Sequence, residues 1–172
     1  MLISKEYREE QTKLHENPHY GVASKSFAPI VAQLINKTGV DNILDYGAGK
    51  GQLGQSLIGH VNHKIQIEHY DPAIEDWSDD PSERDLVCCI DVLEHIEPDL
   101  VDNVLDHLQE KTAYIGFFTI HTGPAVKVLS DGRNAHLIQE GPEWWLPKLL
   151  ERFELMNFNR TSNGFYVIVG KK

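Results

Sequence analysis

Residues 43–54 read Ile43-Leu44-Asp45-Tyr46-Gly47-Ala48-Gly49-Lys50-Gly51-Gln52-Leu53-Gly54, an apolar pair that runs into an acid and then into glycines at alternating positions. The apolar pair fits a strand. The glycines fit a tight loop whose backbone reaches positive φ and approaches a ligand with no Cβ in between. A dinucleotide-phosphate loop has the spacing G-x-G-x-x-G, with the diphosphate resting on a helix N-terminus. Here the spacing is G-x-G-x-G, and Gln52 stands where the third glycine of the other pattern would be.

Outward from the loop the chain alternates strands and helices. Ile65-Gln66-Ile67-Glu68-His69-Tyr70-Asp71-Pro72 has strand character and ends in an acid, Asp71. An acid there can accept both hydroxyl protons of a ribose, a feature that does not distinguish one nucleoside cofactor from another. Only 14 residues, Pro72 to Asp85, lead to the next apolar run. That is too short for a helix and a strand, so the second strand is expected at or near a sheet edge. Within this connection Ile74, Asp76 and Trp77 offer a wall and an acceptor to an adenine, against the plainer reading of an acidic surface loop with one packed tryptophan. Leu86-Val87-Cys88-Cys89-Ile90 suits a central parallel strand buried on both faces. Its adjacent cysteines point to opposite faces and read as reduced core residues, not as a disulfide or metal pair.

On the N-terminal side, Phe27, Ile30, Val31, Leu34 and Ile35 keep helical spacing up to the stop at Gly39, and residues 2–16 fit a short amphipathic helix around Tyr7 and Leu14. Leu53, Leu57 and Ile58 form the inward face of a short helix after the glycines, ended by Gly59. Pro98 starts another helix, with Leu100, Val101, Val104, Leu105 and Leu108 facing the core. A strand over 113–120 then opens into 22 residues without periodicity, His121 to Pro142. A loop of that length in a compact domain is usually functional. It carries His121, Thr122, Asp131, Arg133, Asn134 and His136 on the side where open α/β sheets form ligand crevices. A helix near 143–153 and two apolar runs, 153–158 and 165–169, complete the chain. The link between those runs contains Asn163-Gly164, so they form an antiparallel pair.

With 172 residues, one core is the economical reading. The formal net charge of −10 argues against a broad phosphate-binding face, and so against nucleic acid. No apolar run is long enough to span a membrane, and the first residues lack a basic-then-apolar leader. A soluble, cytoplasmic protein is therefore expected.

Asp45 two positions before Gly47 completes the pattern (D/E)-x-G-x-G-x-G, and the strand at 86–90 ends in Asp91-Val92-Leu93-Glu94-His95-Ile96. In these two motifs the chain resembles class I S-adenosylmethionine-dependent methyltransferases, in particular the small-molecule group that includes quinone-biosynthesis enzymes. It lacks the N-P-P-Y turn of the amino-methylating nucleic-acid enzymes. The resemblance spans roughly residues 40–170 and implies a single α/β Rossmann-like methyltransferase domain over 1–172, with residues 1–40 as a helical cap. Its sheet would be mostly parallel with a C-terminal antiparallel hairpin, shortened at the third-strand edge. It also implies S-adenosylmethionine as cofactor, held by Asp45, Gly47, Ala48, Gly49, Gly51, Asp71, Pro72, Asp91 and Val92, with the segment Tyr20 to Lys25 helping to close the site. His95 reads equally as a loop-positioning residue and as a catalytic one. His121, Arg133 and His136 are the candidates for chemistry on a small-molecule substrate, with Arg133 as its anchor, against the competing reading of Arg133 as a brace of the loop to Asp131 or the acidic surface; no metal is expected. Two alternatives stand beside this reading: an NAD(P)-dependent oxidoreductase, which would share Asp71, and a non-catalytic cofactor-binding partner or sensor subunit.

Overall fold

In the computed structural model, which describes residues 1–172, the apolar run before the glycines is the inner strand β1 (Asn42–Tyr46). It lies between β2 (Gln66–Tyr70) and β3 (Arg84–Ile90), parallel to both. Strand β4 (Thr112–His121) continues the parallel sheet beside β3. The hairpin β5 (Phe153–Arg160) and β6 (Gly164–Lys171) adds the far edge, with β6 antiparallel to β4 and to β5. The order is β2-β1-β3-β4-β6-β5.

This is the mostly parallel sheet with an antiparallel C-terminal hairpin that the motifs implied, and β2 is an edge strand. No strand forms between Asp71 and β3; the connection holds a single 3-10 turn, Glu75–Trp77. It is tied down by charge. Asp80 accepts from His107 Nε2 at 2.9 Å and from Lys111 Nζ at 2.7 Å, and Glu68 on the edge strand takes Arg84 through Nε and Nη2 at 2.8 and 2.7 Å. Charged side chains along an exposed edge also discourage pairing with other chains.

Period-two alternation sends successive residues of each strand to opposite faces. Ile43, Leu86, Cys88, Ile90, Ile115 and Phe117 pack against α2 (Ser24–Thr38) and α3 (Gln52–Leu57). Leu44, Val87, Cys89, Phe118, Val167 and Val169 pack against α4 (Val101–Lys111) and α5 (Pro142–Arg152). The paired cysteines thus sit in two different cores, both thiols free and fully buried. Helix α2 ends where Gly39 takes φ +76°, the left-handed cap that lets its N–H reach back to Ile35 O.

Two expectations are corrected. Ile58 is not inward: α3 ends at Leu57, and Ile58 takes extended backbone with 77% of its surface exposed. Pro98 opens a 3-10 turn, Pro98–Leu100, and the α-helix proper begins at Val101. The remaining helix, α1 (Lys5–His15), is capped by Ser4, whose Oγ accepts from Tyr7 N–H at 3.1 Å. No helix is long and apolar enough to cross a membrane.

Candidate functional site

A cleft lies at the carboxyl ends of β1 and β3, where ligand crevices of open α/β sheets form. Its floor is the glycine loop. Gly47 N and Ala48 N both donate to Tyr70 O, at 2.7 and 3.0 Å, which bends the chain sharply after β1. Asp71 braces the loop from the end of β2. Its Oδ2 accepts from Gly49 N–H at 2.9 Å and its Oδ1 from Ala73 N–H at 3.0 Å. Each oxygen keeps a second lone pair for a ligand. Asp45 is buried beneath the loop, and burial pushes its carboxyl pKa up, opposed by His69. Its Oδ2 stands 3.4 Å from His69 Nδ1 without hydrogen-bond alignment, so both atoms are buried and unpartnered.

The roof comes from the N-terminus. Ser4 donates through N and Oγ to the Glu97 carboxylate at 2.8 and 2.6 Å, and the Tyr7 hydroxyl donates to His95 O. From Tyr7 a chain of polar contacts crosses the cavity: Gln11 Nε2 donates to Tyr7 Oη at 2.7 Å, and Tyr20 Oη donates to Gln11 Oε1 at 2.8 Å. The turn after α1 presses Gly21 onto the floor, where a Cβ on Gly49 would stand 2.9 Å from Gly21 O. Lys50 ties the two layers by donating from Nζ to His15 O. His15 Nδ1, on the roof, is buried with no partner.

Of the nine residues expected at the cofactor, Asp45, Gly47, Ala48, Gly49, Asp71, Pro72, Asp91 and Val92 line the cleft. Gly51 does not. Its φ of +63° is needed for the turn, and a Cβ there would meet the Trp77 ring at 2.7 Å. Trp77 therefore packs on the outside of the glycine loop and against His69, as a packed residue of the connection. Tyr20, Gly21, Ala23 and Ser24 line the cleft, as the resemblance implied for that segment. Sequence reasoning missed the N-terminal contribution of Ile3 and, from α1, of Tyr7, Gln11 and His15. The only trace of it was the seven-residue spacing of Tyr7 and Leu14.

None of His121, Arg133 and His136 lines the cleft. The two histidines instead extend its wall: His136 sits with ring centroids 4.6 Å from both His95 and His121. Burial pushes His95 down to about 4, with the Asp91 charge opposing, so its ring is neutral at physiological pH. Glu94, fully buried, gives Oε1 to the His121 N–H at 2.8 Å, and burial raises its pKa, with Asp91 adding to the rise.

Arg133 lies elsewhere. Its Nε contacts Asp131 Oδ2 at 2.8 Å on an exposed turn, with 54% of the side chain open to solvent. The structure gives it a bracing contact and brings it to no cavity. Exposed pairs of this kind are screened by solvent and contribute little to stability. Arg133→Ala is accordingly expected to leave stability within about 0.5 kcal/mol of the parent, with cofactor affinity unaltered; a denaturant melt and a calorimetric titration on the same sample check both.

A family model described as a methyltransferase domain matches residues 13–162. No curated protein sequence matches the chain. Among solved structures, an O-methyltransferase family protein from Burkholderia thailandensis superposes with TM-score 0.70 at 11% identity, over 99% of this chain and 63% of that one. The 1,6-didemethyltoxoflavin-N1-methyltransferase of the same organism, with its substrate and S-adenosylhomocysteine bound, gives 0.63 at 17% identity, over 96% and 87%. The magnesium protoporphyrin IX methyltransferase of Synechocystis with S-adenosylhomocysteine gives 0.60 at 15%, over 88% and 84%. The chain thus spans less than two thirds of the first of these relatives and most of the other two. At such identities the superpositions speak for the fold, while the family model covers most of the sequence, glycine loop and strand-end motif included: the chain belongs to the methyltransferase domain family.

Proposed function

We propose that the cleft binds S-adenosylmethionine and that the chain transfers its methyl group to a small-molecule acceptor. One observation carries this reading. Asp45, Gly47, Gly49 and Asp71 converge on the cleft, and on its walls His15 Nδ1 is buried with no hydrogen-bond partner while Asp45 Oδ2 has only the misaligned His69 Nδ1 at 3.4 Å. Unpartnered buried polar atoms are costly, and a zwitterionic, nucleoside-bearing ligand supplies both donors and acceptors.

In this reading Asp45 meets the ligand's amino group, and the free lone pairs of Asp71 accept from the ribose hydroxyls. When bound, the cofactor supplies an electrophilic methyl on a cationic sulfonium. The new bond forms from the acceptor's lone pair as the C–S bond breaks and its electrons return to sulfur. The protein's part is to align the two and exclude water, effects that together can supply roughly 7–11 kcal/mol. The roof of α1, with the Tyr7, Gln11 and Tyr20 contacts, is suited to the exclusion. The resemblance of Asp91–Ile96 to the small-molecule group supports an acceptor of that class, and free, buried cysteines suit the cytoplasm.

Calorimetric titration with S-adenosylmethionine tests the reading. The parent is expected to bind one equivalent. Asp71→Ala should bind on the order of 10- to 150-fold more weakly, because a charged hydrogen bond contributes about 1.5–3 kcal/mol. A parent that ignores S-adenosylmethionine but quenches nicotinamide fluorescence would overturn it in favour of the oxidoreductase alternative.

A further inference from the structure

Asp91 and His95 lie on the cleft wall, and His136 stands against His95 in the interior. Backbone acceptors fix the tautomers of both imidazoles. His95 Nδ1 is 2.9 Å from Ala135 O and His136 Nδ1 is 2.7 Å from Gly123 O. A carbonyl oxygen only accepts, so each Nδ1 carries the proton and each Nε2 presents a bare lone pair. Metal-ligating histidines are commonly held in this way, the second ring nitrogen donating to a backbone carbonyl. His121 is held differently. Its Nδ1 accepts from Gly123 N–H at 3.1 Å, which leaves its proton on the other nitrogen.

One ligand atom from each of Asp91, His95 and His136 lies within 4.8 Å of the others. Bonds of about 2.0–2.2 Å place neighbouring ligands of one metal roughly 3–3.5 Å apart, so side-chain shifts of roughly 1 Å close the set. Two further observations point to a cation. Glu94 Oε2 is fully buried and accepts from no donor in the chain. Asp91 is also the one non-glycine residue with positive φ, +58°, pinned there by its N–H to Thr119 Oγ1 at 3.0 Å. Strain of that kind clusters at ligand clamps.

We propose that Asp91, His95 and His136, backed by the Glu94 carboxyl, bind one first-row divalent cation at the wall of the cleft. Two imidazole nitrogens with carboxylate oxygen favour manganese, iron, cobalt or zinc over magnesium or calcium. This revises the sequence expectation of no metal. If the methyltransferase reading holds, on which this step rests, the cation's open positions take an acceptor hydroxyl. Coordination lowers that hydroxyl's pKa; its proton passes to water and the oxygen's lone pair makes the new bond to the methyl carbon.

The test uses the chelator-treated full chain titrated with cobalt chloride, without S-adenosylmethionine, followed by calorimetry and visible absorption. One equivalent should bind and develop a d–d band. Asp91→Asn, which tolerates the positive φ, and His136→Ala should each bind at least tenfold more weakly, while His63→Ala, whose ring meets Val40 O ahead of β1, binds like the parent. A parent that takes up no cobalt, or a folded Asp91→Asn chain within twofold of the parent, overturns the site. Because no cofactor is present, a chain that binds S-adenosylmethionine but not cobalt refutes the metal site alone.

Discussion

Gly47→Ala is expected to lower stability by about 2–5 kcal/mol and to weaken S-adenosylmethionine binding by at least about tenfold. Two costs add. At φ +75° an L-residue occupies the left-handed region, at roughly 1–2 kcal/mol. The new Cβ would also stand 2.4 Å from Cγ2 and 3.0 Å from Cγ1 of Val92, an overpacking worth about 1–3 kcal/mol. Relief of that contact displaces the bend pinned by Gly47 N–H and Ala48 N–H on Tyr70 O, and with it the cleft floor. Adding Val92→Ala removes the collision and leaves the backbone strain. The double variant should therefore recover about half of the loss in a denaturant melt. Equal melting of the single and double variants would mean that Val92 is not what forbids a side chain here.

Phe117→Ala should cost about 3–5 kcal/mol, the range for emptying an aromatic site in a packed core. For a chain of this length that is a fall of roughly 6–20 °C in melting temperature. Phe117 is fully buried on β4, with Phe27 of α2 at 6.1 Å and Tyr166 of β6 at 5.3 Å between ring centroids. The cavity would open between helix and sheet, where neither backbone can collapse easily. Cofactor affinity measured below the transition should stay near the parent value, because the ring does not line the cleft. A drop under about 1 kcal/mol would show that α2 can settle onto β4.

What was legible in the sequence was local. The turn from Ile43 to Gly51, the acid closing β2 and the hairpin around Asn163-Gly164 are each written in a few adjacent residues, where φ requirements and chain length leave few solutions. The short connection 72–85 was readable for the same reason, since 14 residues cannot hold a helix and a strand. The roof was not. Tyr7 meets His95 across 88 positions and Ser4 meets Glu97 across 93, pairings that no periodicity encodes. His95 and His136 come together only through the fold of the long loop, in which Asn134 Oδ1 accepts from Ala125 N–H and His136 N–H, both at 2.9 Å. Arg133 had two readings because its turn has no packing pattern, and the contact the structure shows is the local one, to Asp131 two residues before it. Ile58 was read as part of the inward face beside Leu57, but the helix stopped one residue short of it.

The position of β6 between β4 and β5 has a consequence for how the protein is made. Strand β5 emerges from the ribosome first, with no ladder to join, because the strand that will hold it to the sheet has not yet been synthesised. Until Gly164–Lys171 is out, the open edge of β4, carrying Phe117, Phe118 and Ile120, faces water or a chaperone. The nascent domain is therefore most prone to aggregation in the interval between the synthesis of β5 and that of β6, after both of its cores are largely specified and before either is closed.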